Sequence, residues 1–158
     1  MKIVQNAWRI CPKLHAANGR DAFSGEGARK HGGRFNSKGL AVAYASATLS
    51  LAALEFLVHA DVQLLRTLPL VACAAIWPAE LIAETMTELP PNWRDTPAPK
   101  ALQTFGDEWI RHRRTAILFV PSAIVPRENN LLLNPDHPDF ARVSFGEPEV
   151  FSYDPRLL

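Results

Sequence analysis

The sequence predicts an α+β fold, a single domain spanning residues 1–158 in which a mixed sheet is packed by helices. The chain has 158 residues, 47% of them apolar and 21% charged, a composition that suits one ordinary hydrophobic core. Short apolar runs bounded by proline and glycine outnumber the helical stretches. The two strongest helical segments, 47–60 and 98–113, are far apart, so the chain does not alternate strand and helix as a regular βαβ series would.

Residues 2–10 read as the first strand, with Trp8 and Arg9 near its end, and 15–20 as loop. Segment 24–39 holds five glycines, at 25, 27, 32, 33 and 39, and four cations, Arg29, Lys30, Arg34 and Lys38. Glycine admits positive φ and close backbone approach, and cations with exposed N–H groups suit phosphate oxygens. No Gly-Lys-Ser/Thr opens a helix here, and no GxGxxG follows a strand. Composition alone therefore leaves this loop open between an anion cradle and a set of solvated turns.

Residues 40–45 form a short apolar run carrying Tyr44, read as a strand, and Ser46 is placed to cap the following helix. Along 47–60, Leu49, Ala53, Phe56, Leu57 and Ala60 lie on one face and Leu51, Leu54 and Val58 on another. A helix apolar nearly all round is expected to be buried. Between those faces runs a stripe of Thr48, Ala52, Glu55 and His59. Glu55 is the one acid in this segment. An unpaired buried carboxylate is costly, so Glu55 must be protonated, paired with His59 or an arginine, or turned to a polar cleft. His59 has no second His or Cys at ligand spacing, so no metal site is predicted.

Residues 61–69 read as a connector, and 70–76, a continuous apolar run between prolines, as a central strand. Pro78 is placed to start a short helix over 79–86. Residues 89–99 hold four prolines and read as loop, anchored by Trp93. In 98–113, Leu102, Phe105, Trp109 and Ile110 make one face, and Arg111, Arg113 and Arg114 complement the dipole at the C-terminal end. Residues 115–120 form a strand running into Ser122, which is placed to cap a turn or to donate to a ligand. No Ser-His-Asp order marks it as a nucleophile. A strand follows at 130–133, a turn at 134–138, and closing strands at 141–145 and 149–153.

Net charge is +1, which gives a general nucleic-acid-binding role no electrostatic support. Cys11 and Cys73 lack motif spacing and read as free thiols of a reducing compartment or as one disulfide. Residues 1–10 carry polar groups where a signal peptide would be apolar, and no apolar run reaches the roughly 18 residues of a membrane span. The expected location is the cytoplasm, with no membrane partner.

Several motifs in order resemble one family. GARKHGGRFNSKG with Arg34, AVAYASATLSLAALEFLVH with Tyr44 and Glu55, VPSAIVPRENNLLLNP with Ser122, and the ending EPEVFSYDPRLL are similar to the RES-domain toxins of RES–Xre toxin–antitoxin modules. Phe35 stands where tryptophan is usual. The resemblance implies an ADP-ribosyltransferase-like fold, NAD+ as substrate without a metal, and an Xre-type antitoxin covering the active site; a homodimer is a further possible arrangement. Family members degrade NAD+ by hydrolysis or phosphorolysis, or transfer ADP-ribose to a protein. The resemblance gives Arg34, Tyr44, Glu55 and Ser122 as the catalytic set. In it, Arg34 holds the pyrophosphate, Tyr44 stacks at the nicotinamide–ribose end, Glu55 stabilises the ribosyl cation, and Ser122 hydrogen-bonds the substrate. Arg9, which the first strand would present to NAD+, joins Asn36, Ser46 and Asn130 as further NAD+ contacts. A non-catalytic module that binds a nucleotide or an antitoxin is the alternative from another class.

Overall fold

The structure is a computed structural model that describes residues 3–158. Lys2, the expected first strand residue, lies outside the described residues. Among these, eight strands form one sheet. They are β1 (Val4–Pro12), β2 (Ala43–Ser46), β3 (Leu70–Pro78), β4 (Glu84–Thr85), β5 (Ile117–Pro121), β6 (Asn129–Leu133), β7 (Ser144–Phe145) and β8 (Glu149–Phe151). The order is β4-β5-β6-β2-β1-β3-β7, with β8 also on β3. β4 and β5 run parallel and the other pairs antiparallel, so the sheet is mixed, as expected. The helices are α1 (Gly19–Ala22), α2 (Glu26–His31), α3 (Leu49–His59), α4 (Val62–Leu65) and α5 (Lys100–Arg111).

The sheet is narrow at one place. β1 pairs β3 continuously from Val4↔Pro78 to Pro12↔Leu70, but it meets β2 only at Trp8↔Ser46. Two half-sheets therefore join at a single register pair. Period-two alternation then sends each strand's side chains to two different cores. Ala7, Cys11, Cys73 and Ala75 of one half share a core with Ala43, Ala45, Ile117 and Leu131 of the other. The opposite face of the first half, with Ile10, Leu70 and Ala72, is covered by α3 through Leu49, Ala52 and Phe56. The opposite face of the second, with Val42, Leu118, Val120 and Leu132, is covered by α5 through Leu102, Trp109 and Ile110.

α5 is amphipathic, and its apolar face is buried as the sequence predicts. Burying side chains of this size contributes about 1.5–3 kcal/mol each. Trp109 also satisfies its ring N–H, donating to Thr115 Oγ1 at 2.9 Å, whose hydroxyl donates to the Ile117 carbonyl at 2.8 Å. Arg113, at φ 47, turns the chain after α5, with its N–H on Ile110 and that of Arg114 on Trp109, a Schellman closure made without glycine.

Five expectations are corrected. α3 is not buried all round: Leu51 and Ala52 are buried, but Leu54 and Val58 are exposed. Its cap is Thr48, which accepts from Leu51 N–H at 3.1 Å, while Ser46 closes β2. Segment 79–86 is no helix; a turn leads to β4, whose pairing with β5 offers backbone partners that a helix of about two turns largely lacks. The glycine-rich segment is not all loop, since α2 lies inside it between Gly25 (φ 75) and Gly32 (φ 73). The connector 61–69 likewise holds α4. Among the described residues no helix is long and apolar enough to cross a membrane.

Candidate active site

A cavity of about 1430 Å³ opens where the two half-sheets meet, walled by β1, β2, α3, the segment after α2 and the proline-rich segment before α5. Five cations border it, Arg9, Lys30, Arg34, Arg94 and Lys100, along with His15, His31 and His59. Among the described residues the acids on the wall are Asp21, Glu26 and Glu55, and Glu26 is already paired with Arg29 at 2.8 Å. The balance of charge suits an anionic ligand.

Glu55 reaches this wall because α3 packs its Ala52 and Phe56 side on β1 and β3. Its Oε1 accepts two side-chain hydrogen bonds, from Ser122 Oγ at 2.7 Å and from Asn130 Nδ2 at 2.5 Å. Asn130 in turn accepts from Ser46 Oγ at 2.7 Å through Oδ1. Ser46 and Asn130 are register partners across β2 and β6, so the pairing of the strands sets their contact. Ser122 is fully buried. Its oxygen accepts the N–H groups of Ile124 at 3.1 Å and Val125 at 2.9 Å. The hydroxyl thus caps the turn after β5 and spends its proton on Glu55. It stands behind Glu55 and is not among the residues bordering the cavity. His59 borders the cavity one turn from Glu55, and no hydrogen bond links the two among the described residues.

The segment after α2 is built around Asn36, which is fully buried. Its amide donates to the carbonyls of Ala28 at 2.9 Å, Ser37 at 3.2 Å and Leu40 at 3.2 Å. Its Oδ1 accepts from Tyr44 Oη at 2.7 Å, and Tyr44 Oη accepts from Phe35 N–H at 3.0 Å. Burial pushes the Tyr44 phenol well above its ordinary value, so it is a neutral donor at physiological pH. Arg34 projects from this segment, and its Nη1 donates to the carbonyls of Trp93 at 2.9 Å and Asp95 at 3.1 Å. Arg34 therefore borders the cavity while tying down the proline-rich segment.

Arg9, on β1, donates from Nη1 to the Tyr44 carbonyl at 2.9 Å, and its Nε is buried without a partner among the described residues. Burial holds the guanidinium below its ordinary value, opposed by Cys11 and Cys73 nearby, although an arginine stays charged at any physiological pH. Both cysteines are free thiols in the shared core. Among the described residues no group of three or more His, Cys, Asp or Glu is placed to hold a metal ion.

The structure thus gathers Arg9, Arg34, Tyr44, Ser46, Glu55 and Asn130 on one cavity wall, with Ser122 and Asn36 behind it. Sequence reading missed the support from α5. Asp107 accepts from Ser37 N–H at 2.8 Å and Ser37 Oγ at 2.6 Å, and Gln103 donates to the carbonyls of Gly33 at 3.1 Å and Asn36 at 3.2 Å. No local signal marked Asp107, which lies outside the arc of Leu102, Phe105, Trp109 and Ile110, on the polar side beside Gln103. Gly106 lets the helix close on this segment, for a Cβ there would sit 1.7 Å from the Phe35 carbonyl oxygen.

Comparison with known proteins agrees with this architecture. The chain is 38% identical over 158 residues to the Prs ADP-ribosylating toxin of Sphingobium sp. (strain YBL2), covering 96% of this chain and 95% of that one. It is 41% identical over 152 residues to Toxin Res of Yersinia enterocolitica, covering 95% and 97%. In fold it is similar to a chain in the crystal structure of the M. tuberculosis MbcT–MbcA toxin–antitoxin complex, with a TM-score of 0.73 at 16% identity over 96% of this chain and 86% of that one. The RES domain model matches residues 6–154, and the chain belongs to the RES domain family.

Proposed function

We propose that this protein is the toxin of a toxin–antitoxin module and that it cleaves the nicotinamide–ribose bond of NAD+, passing the ADP-ribosyl group to water or phosphate. The observation that carries this reading is Glu55, with one oxygen held by two donors and the other unbonded among the described residues, on the wall of a cation-lined cavity. When the glycosidic C–N bond breaks, its electron pair leaves with nicotinamide, whose ring nitrogen becomes neutral. The ribose is left as an oxocarbenium-like cation. A carboxylate fixed beside that carbon stabilises the growing positive charge and needs no reorganisation to do so. Water or phosphate then adds to the anomeric carbon, and the proton that water loses is released.

In this reading the guanidinium groups of Arg34 and Arg9 take the pyrophosphate. The Tyr44 ring offers a flat face at the nicotinamide–ribose end. Ser122 acts through Glu55, and Asn36 acts through Tyr44 and the backbone that carries Arg34. Ser46 and Asn130 act on the ribose through Glu55, the carboxylate they hold. The partner is an Xre-type antitoxin seated over the cavity, and the setting is the cytoplasm.

A second reading is supported by the name of one relative, an ADP-ribosylating toxin: the same site would transfer ADP-ribose to a protein. Mass spectrometry of purified protein with NAD+, with and without phosphate and then with cell extract, separates the readings. Nicotinamide with ADP-ribose, or with a phosphate-dependent ADP-ribose phosphate, supports NAD+ degradation. A gain of one ADP-ribose on an extract protein supports transfer. Intact NAD+ in every mixture rejects both and leaves a binding module.

A further inference from the structure

We propose that Asn130, braced by Ser46, is a positioning residue that fixes which oxygen of Glu55 meets the substrate; the inference rests on the reading of Glu55 as the reacting carboxylate. The donor and acceptor inventory carries it. An ionised carboxylate can only accept, so the amide of Asn130 must turn Nδ2 toward Glu55, at 2.5 Å. That leaves Oδ1 for the Ser46 hydroxyl, which donates at 2.7 Å. The carboxylate thereby selects one of the two amide orientations, and the Ser46 hydroxyl, which can donate or accept, braces the one selected. The other would set Oδ1 against the carboxylate, acceptor against acceptor.

The same logic applies to the second donor. Ser122 Oγ already accepts two backbone N–H groups, so its proton is directed to Glu55 Oε1. Two donors with no alternative acceptor thus converge on Oε1. Among the described residues Oε2 has no hydrogen-bond partner, and Glu55 borders the cavity. Oε2 is the oxygen left to face the ribosyl cation. Ser46 is 3% exposed, and both Ser46 and Asn130 are bound into the β2–β6 ladder, so the pair is held by backbone pairing and needs no ligand to assemble. In this role Ser46 and Asn130 serve the carboxylate, with the Ser46 proton, the Asn130 Oδ1 and one Nδ2 hydrogen committed before NAD+ arrives.

The test combines kinetics with a readout that does not depend on turnover. For Asn130→Ala, kcat for nicotinamide release should fall about 100-fold, the scale of a misplaced reacting group, with NAD+ affinity by calorimetry unchanged. Ser46→Ala, which keeps Asn130 in place, should lower kcat about 10-fold with affinity again unchanged, and it serves if Asn130→Ala does not fold. In the free protein, the side-chain 15N–1H pair of Asn130 should show one strongly downfield proton that moves upfield in Glu55→Ala. An Asn130→Ala protein that keeps wild-type kcat overturns the proposal. So does one that loses NAD+ affinity while keeping kcat, which would make Asn130 a substrate contact. If wild-type protein releases no nicotinamide, the proposed reaction fails, and the amide signal alone decides the positioning role: movement in Glu55→Ala supports it, and an unmoved signal overturns it.

Discussion

Asp107 on α5 and Glu55 on α3 each take a hydrogen bond from a distant serine hydroxyl, 2.6 Å from Ser37 and 2.7 Å from Ser122. Their situations diverge from there. Asp107 is 7% exposed, and both of its oxygens are engaged by one residue, through the backbone N–H and the hydroxyl of Ser37. Glu55 has both of its donors on one oxygen and stands at a cavity. The first carboxylate is finished by the fold and fastens a loop. The second is half finished, and the unfinished half points to chemistry. A buried acid with both oxygens engaged is a structural device; an acid held rigidly through one oxygen only is prepared for a partner.

This contrast can be broken by substitution. Glu55→Gln should produce the largest effect, a loss of NAD+ turnover of about 1000-fold or more, within the range for removal of a reacting group, at an unchanged melting temperature. A variant that still consumes NAD+ at the wild-type rate removes Glu55 from the mechanism. Asp107→Ala should do the reverse. It strands the Ser37 N–H and costs about 2–3 kcal/mol of stability, read as a fall in the thermal midpoint of about 5–10 °C for a chain of this size. Turnover lost at an unshifted midpoint would erase the distinction between a fastening acid and a reacting one.

Arg34 tests the boundary between the two roles, because it borders the cavity and also holds the Trp93 and Asp95 carbonyls. Arg34→Ala should weaken NAD+ binding about 10-fold, or about 1.4 kcal/mol, and speed amide exchange across 93–95. Unchanged affinity with faster exchange would make it a fastener only. The smallest effect belongs to Thr48→Ala, which removes the cap of α3 at a cost of about 1 kcal/mol. Denaturant unfolding should register that loss without a change in NAD+ affinity.

What the sequence disclosed follows the range over which each interaction acts. Glu55 stood out because it is a lone acid in an apolar run, a pattern visible within one helix. Ser122 and Asn130 were named only through the family resemblance and as substrate contacts; they are 67 and 75 residues away, and nothing local says that their side chains converge on Glu55. The strands of the core were legible from apolar runs between prolines, and α5 from its stripe. The burial of α3 was overread, because an apolar helix can leave Leu54 and Val58 outside when only one of its faces meets the sheet. In segment 24–39 the glycines that suggested loop are the two ends of a helix, Gly25 and Gly32. Segment 79–86 went the other way, where a parallel partner strand prevailed over a proline start signal.

The distance along the chain between Glu55 and its holders also bears on how the protein is made. Synthesis runs from the N-terminus, so α3 leaves the ribosome long before β5 and β6 exist. Until then β2 lacks the strand that pairs along its length, and Glu55 has neither of the donors that direct it. In the proposed reading, the nascent polypeptide therefore carries its acid without the groups that direct it until the chain has been extended past Leu133 and β6 can close on β2.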